Sequence, residues 1–162
     1  TPEEDATFVD SNSMEWKQTF VPGPPPGLEI KLLYSNPKTK FYTRLLFIKP
    51  GWEDTRLSHH PVMEESFTIA GESWFNFGHT EAGSYFFRPP FIRHGHFKAG
   101  VDGKFSFLRS DGELVNLYTK PDGTPENYDP DSNLGPVRGE PVRSISEGDW
   151  DGDGMLEFEN RS

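Results

Sequence analysis

An all-β fold, a sandwich or a barrel, is the class this sequence predicts, and three observations predict it. Short runs rich in Val, Ile, Phe, Tyr and Thr recur between Leu28 and Thr119, the composition that suits a pleated, half-buried surface. Glycine- and proline-containing turn signals separate them. Few segments carry the helical period of apolar residues. The chain of 162 residues, with 14 Phe, 16 Gly and 15 Pro, is long enough for one domain with a real core.

Taken in order, residues 1–28 are polar and then proline-rich ("VPGPPPG"). They read as an extended arm, laid over the body or over a partner subunit. Strand patterns follow at "LEIKLLY" (28–34), "FYTRLLFIKP" (41–50), "ESFTIAG" (65–71) and "SWFNFG" (73–78). They continue at "GSYFFRPP" (83–90), "GKFSFLR" (103–109) and "ELVNLYT" (113–119). The intervening "SNPKT", "PGWED", "EAG", "GVDG" and "SDGE" are turn chemistry. A body over 29–120 is thus expected, without internal repeat, followed by a loop-rich tail over 121–162.

The charge separates tail from body. The formal net charge is -10, and residues 121–162 hold eleven Asp/Glu against three Arg, net -8, leaving -2 for the rest. Such acidity disfavours nucleic acid and anionic membranes as partners. No apolar run approaches the roughly 20 residues that cross a bilayer. The absence of cysteine excludes disulfides and thiolate metal sites. Within the tail, "DWDGDGMLEFEN" (149–160) imitates a calcium loop through Asp149, Asp151, Asp153 and Gly154. Position 12 is Asn160 rather than a bidentate Glu, so an acidic solvated tail is the better reading.

The chemistry concentrates elsewhere. Four of the five histidines are His59, His60, His94 and His96, and Glu64 and Glu65 follow the first pair closely. Neutral imidazole with carboxylate is a ligand set for a divalent transition metal. In an extended chain side chains alternate, so Ser58 and His60 share a face and His59 takes the other; His94 and His96 share one. The bland alternative is a set of surface or hydrogen-bonded core histidines, and two clustered pairs beside a spaced Glu argue against it.

At these residues the sequence resembles the cupin superfamily. Gly51, His60, Glu64 and Gly71 stand at the spacing of its first motif; Gly83, Pro89 and His94 are similar to the second. The resemblance implies a single-domain cupin β-barrel of the RmlC-like kind, a double-stranded β-helix or jelly roll, with one divalent metal inside. Carried over position by position, it assigns the metal to His60, Glu64 and His94. It also implies Fe(II) first among Zn, Mn or Ni, a small-molecule substrate and a homodimer. The family's first histidine falls here on Ser58, its later glycine on Phe91 and its late Asn on Lys98. Three arrangements remain open. A bulge would turn His59 inward; His96 would supply the missing nitrogen; or the site keeps two His and one carboxylate with three open positions.

Around the motifs, Trp74, Phe75, Phe77, Tyr85, Phe86, Phe87, Phe91 and Phe97 read as barrel core, alternate members facing inward. Tyr85 and Arg88 are the catalytic candidates; Tyr42 and Arg93 stand beside them with less to recommend them. An arginine there either orients a substrate carboxylate or enolate or forms a surface ion pair. Glu65 reads as a solvated or structural charge. The implied activity is a non-haem Fe(II) dioxygenase cleaving a C–C bond in a small enol, phenol or diketone. A redox-neutral lyase or isomerase of sugar acids or small carboxylates is the alternative, and a non-catalytic binding barrel the third.

Overall fold

Strand follows strand from Lys17 to Thr119 in the computed structural model, which describes residues 6–19, 24–75 and 78–119, with His96 and Thr119 described by backbone alone. A single 3-10 turn, Ser11–Ser13, is capped by the Asp10 carboxylate, which accepts from the Asn12 amide. The strands are β1 (Lys17–Thr19), β2 (Leu28–Ser35), β3 (Tyr42–Ile48), β4 (Glu53–His59), β5 (Glu64–Phe75), β6 (Gly78–Glu81), β7 (Tyr85–Arg88), β8 (His94–Ser110) and β9 (Leu117–Thr119). There is no α-helix among the described residues, hence no helix able to cross a membrane. The fold is the all-β cupin-type barrel that the sequence predicts.

All pairings are antiparallel, and β8 organises them. Its first half lies between β4 and the end of β5; its second half lies between β3 and the start of β5. β2 and β1 extend the β3 side, β9 extends β4, and β6 and β7 pair with β5. Part of the leading arm is therefore placed on the body: β1 runs along β2 with Lys17 opposite Ile30.

Turn chemistry works at "SNPKT" but not at "GVDG", which the strand β8 runs straight through. In "SNPKT" the Asn36 Oδ1 accepts from the amides of Lys38 and Thr39 at 2.9 and 3.1 Å, an Asx turn that reverses β2 into β3. The sequence suggests two strands over 65–78, with a break near Gly71; the structure runs one strand through it. Gly71 sits at φ +75, and a Cβ there would run into the Gly103 carbonyl. It kinks β5 without ending it, beside a register shift.

The interior is divided. At one end Ile48, Phe97 and Ala99 are buried and packed by Leu28, Leu46, Trp52 and Phe75. Each large member contributes about 1.5–3 kcal/mol by leaving water. Elsewhere polar residues share the interior: Ser66, Thr68, Ser73, Thr80, Ser106 and Ser110 are buried with Glu64, Arg88 and Lys104, alongside Leu45, Phe86 and Leu108. Small hydroxyl residues leave room inside, and the Ser73–Thr80 hydrogen bond (Oγ to Oγ1, 2.7 Å) offsets the burial of that pair.

Alternation sorts the aromatic residues as expected in part. Phe75, Phe86 and Phe97 meet inside, with Phe75–Phe97 centroids at 4.7 Å. Trp74, Tyr85 and Phe87 are exposed outside at 41, 39 and 55%, so those three are not core. Phe77 lies outside the described residues, as does everything from 120 onward, including the segment 149–160 resembling a calcium loop.

Candidate metal centre

β4 ends at His59 and β5 begins at Glu64, so His60 occupies the connecting turn; His94 opens β8. Register places Ser58 opposite His94 across β4 and β8. This puts the end of β4 against the first residue of a strand far along the chain. The His60 and His94 rings lie 4.6 Å apart between centroids. Ligand atoms of His60, Glu64 and His94 all fall within 4.8 Å of one another, and all three residues are buried.

The orientation of the imidazoles is fixed from behind. His60 Nδ1 lies 3.2 Å from the Val115 carbonyl, and His94 Nδ1 lies 3.1 Å from the Ile92 carbonyl. A carbonyl only accepts, so each Nδ1 donates and Nε2 is the nitrogen left for a ligand. His60 Nε2 stands 3.4 Å from Glu64 Oε2. Burial, reinforced by Arg88 and His60, holds His94 well below the usual histidine range, so it is a neutral donor. Burial alone would push the Glu64 carboxyl up. The Arg88 guanidinium, 3.1 Å from Oε2, and the neighbouring histidines outweigh it and hold Glu64 well below the usual carboxylate range. Two imidazole nitrogens and one carboxylate, backed by carbonyls in a buried pocket, fit a divalent transition metal.

The remaining sequence candidates land as follows. His59 alternates away: it is buried beside Phe91, at 6.4 Å between centroids, and outside the cluster. The bulge in β4 falls between Asp54 and Leu57, upstream of it, and does not turn it inward. His96 is on β8 with its side chain outside the described residues. Tyr85 is on the outer face, its hydroxyl donating to Glu65 Oε1 at 3.0 Å. Strand alternation separates it from buried Phe86 and Arg88, and it stands away from the cluster. Glu65 accordingly serves as an outer-face charge, with Arg109 Nε 3.8 Å away. Arg88 is no surface residue: it is 5% exposed and its Nη2 holds Glu64. Tyr42 is buried, which pushes its hydroxyl up to about 12, a poor range for acid–base work.

The family's departures also acquire a structural meaning. Ser58, at the first histidine's place, lies with Oγ 3.4 Å from His94 Nε2. Phe91, at the glycine's place, keeps the left-handed turn at φ +67, and its amide donates to the His60 carbonyl at 2.8 Å. A non-glycine residue there costs about 1–2 kcal/mol, and that hydrogen bond helps hold the turn. Lys98 is exposed.

A cavity of about 200 Å³ opens onto the cluster. Leu46, Ile48, Trp52 and Phe97 give it an apolar wall, and Arg44, Arg56, Asn116 and Tyr118 a polar one. None of these polar residues stands out in the sequence. Arg44 alone left a trace, a charge within the apolar run "FYTRLLFI", two residues from Tyr42.

Barrel and cluster together give a cupin-type fold with a buried His–Glu–His group able to hold a metal ion. Residues 2–117 match the family model described as a domain of unknown function, DUF4437. The chain belongs to that family. Among solved structures it is similar to an RmlC-like cupin protein from Ralstonia eutropha, at TM-score 0.58 and 21% identity, covering 76% of this chain and 78% of that one. It is also similar to an acetylacetone dioxygenase from Acinetobacter johnsonii (TM-score 0.54, 19% identity, 76% and 83% covered). A third is the polyketide cyclase RemF from Streptomyces resistomycificus (TM-score 0.57, 16% identity, 74% and 90% covered). At these identities the likeness is one of fold. No curated protein sequence matches the chain.

Proposed function

We propose that this chain is a metal-dependent enzyme in which His60, Glu64 and His94 hold one divalent transition metal, Fe(II) first, for oxygenation of a small enol, phenol or diketone. The observation that carries it is the pair of imidazoles tied at Nδ1 to backbone carbonyls, Nε2 turned toward a buried carboxylate. When bound, the ion supplies a redox couple and exchangeable positions for a bidentate substrate and dioxygen. Everything else is the work of this chain. Carbonyls 92 and 115 fix the rings, Arg88 keeps Glu64 ionised, and the apolar wall limits water at the centre. The acetylacetone dioxygenase among the similar folds supports the oxygenase choice.

The test is elemental analysis of protein purified without added metal, repeated on Glu64→Ala and His94→Ala, with acetylacetone turnover assayed in air and anaerobically. About one iron per chain, lost in both variants, and turnover abolished without dioxygen are expected. Turnover that is unchanged without dioxygen would end the oxygenase reading. A redox-neutral lyase or isomerase acting on a small carboxylate is the second reading, favoured by a cationic Arg44 in the same cavity. It predicts zinc or manganese in the protein and anaerobic activity.

A further inference from the structure

Three arginines matter to the cavity, and two are occupied. Arg56 is held by Asp54, with Nε and Nη2 each 3.0 Å from a carboxylate oxygen, and is stacked 3.8 Å from the Tyr118 ring centroid. Arg88 serves Glu64. Arg44 differs. It lines the cavity with His60, Glu64 and His94, its guanidinium 4.9 Å from the Tyr42 ring centroid. Its Nε is buried without a hydrogen-bond partner, and no carboxylate lies within ion-pair distance among the described residues. Withdrawing a guanidinium partly from water without a counter-charge is costly, and a planar fork of donors is the natural complement of a carboxylate.

Register fixes where this charge stands relative to the metal ligands. Glu64 is opposite Ser110, and Ser110 is opposite Tyr42 on the far side of β8. Arg44 lies one two-residue step beyond Tyr42, on the face shared with Leu46 and Ile48. The two backbones are thus separated by two strand spacings, about 10 Å, and a step of about 7 Å. The Glu64 and Arg44 side chains both line the same cavity of about 200 Å³.

We infer that the substrate is a small acid gripped at both ends: its carboxylate binds the Arg44 guanidinium, and its carbonyl or enol end lies at His60, Glu64 and His94. The second half of this inference rests on the metal-enzyme reading above; the first half does not. Arg44 then sets specificity, binding neutral analogues more weakly because their bound form leaves the guanidinium unpaired.

Two probes of equal length isolate that charge: 4,6-dioxoheptanoate and heptane-2,4-dione, which differ by a carboxylate in place of a terminal methyl. Affinities are measured by titration calorimetry on the protein as purified, with metal content determined in parallel. The wild type should bind the acid at least about tenfold more tightly than the dione, the value of one charge-assisted contact. Arg44→Met should bind both alike, with dione affinity and metal content unchanged; Arg44→Lys should keep part of the preference. Equal binding of the two probes by the wild type overturns the inference, whatever the variants do. So does a preference that survives Arg44→Met. A preference dependent on Arg44 in a protein that binds no metal leaves the anion subsite standing and removes the metal reading. Metal without the preference does the reverse.

Discussion

Arg88 shows how much one residue's meaning depends on its register partner. It faces Glu64 across β5 and β7, and both are buried, so its guanidinium neutralises a carboxylate that a metal would otherwise have to neutralise alone. Arg88→Met should therefore destabilise the metal-free protein by about 3 kcal/mol, the cost of an uncompensated buried charge. Saturating divalent metal should recover most of that loss. Denaturant unfolding with chelator and with added zinc measures both, and an equal penalty in the two conditions would show that Arg88 does not act through Glu64. The grouping of His60, Glu64 and His94 was legible through the cupin resemblance, because the motif's intervals survive in the sequence. The role of Arg88 was not, since nothing local says which residue lies across the ladder. The hydroxyl of Ser58 and the lone charge of Arg44 were hidden for the same reason.

At the scale of strands, β2, β3 and β7 were legible because each has an apolar face on the barrel wall. β4, "EDTRLSH", was not. Its inner side lines a polar cavity through Asp54, Arg56 and Ser58, so neither face is apolar and the period-two signal vanishes. The long β8 was read only over its second half because "GVDG" reads as a turn, whereas the strand runs through it. Gly95 is a strand residue at φ +154, placed where a Cβ would run into the Arg56 carbonyl. Its bare backbone lets β8 close on β4, which brings His94 to His60. Gly95→Ala should force the strands apart, lowering both thermal stability and metal affinity, the latter by about tenfold or more on the scale of a displaced ligand support. A variant that binds metal as tightly as the wild type would show that this approach does not position His94.

For the molecule as a whole, two interior groups give opposite pH responses. Burial pulls the Lys104 ammonium from 10.5 down to about 8, with Glu64 partly opposing it. Between those values the unfolded chain holds a proton that the folded chain has released, so stability rises with pH, by about 3 kcal/mol over the window. Tyr42 is raised from 10.0 to about 12. Above pH 10 the unfolded chain loses a proton that the folded one keeps, and stability falls. These two groups together place a stability maximum near pH 10. Urea midpoints from pH 7.5 to 11 should show the rise and then the fall, with the rise absent in Lys104→Met; a rise that persists there belongs to another group.

Trp52 forms part of the cavity wall and donates its indole Nε1 to the Pro25 carbonyl at 2.7 Å, while Thr19 lines the same cavity. The leading segment thus serves as masonry. A version trimmed to begin at Leu28 would keep every metal donor yet expose its chamber along one side, turning a selective vessel into an open bowl.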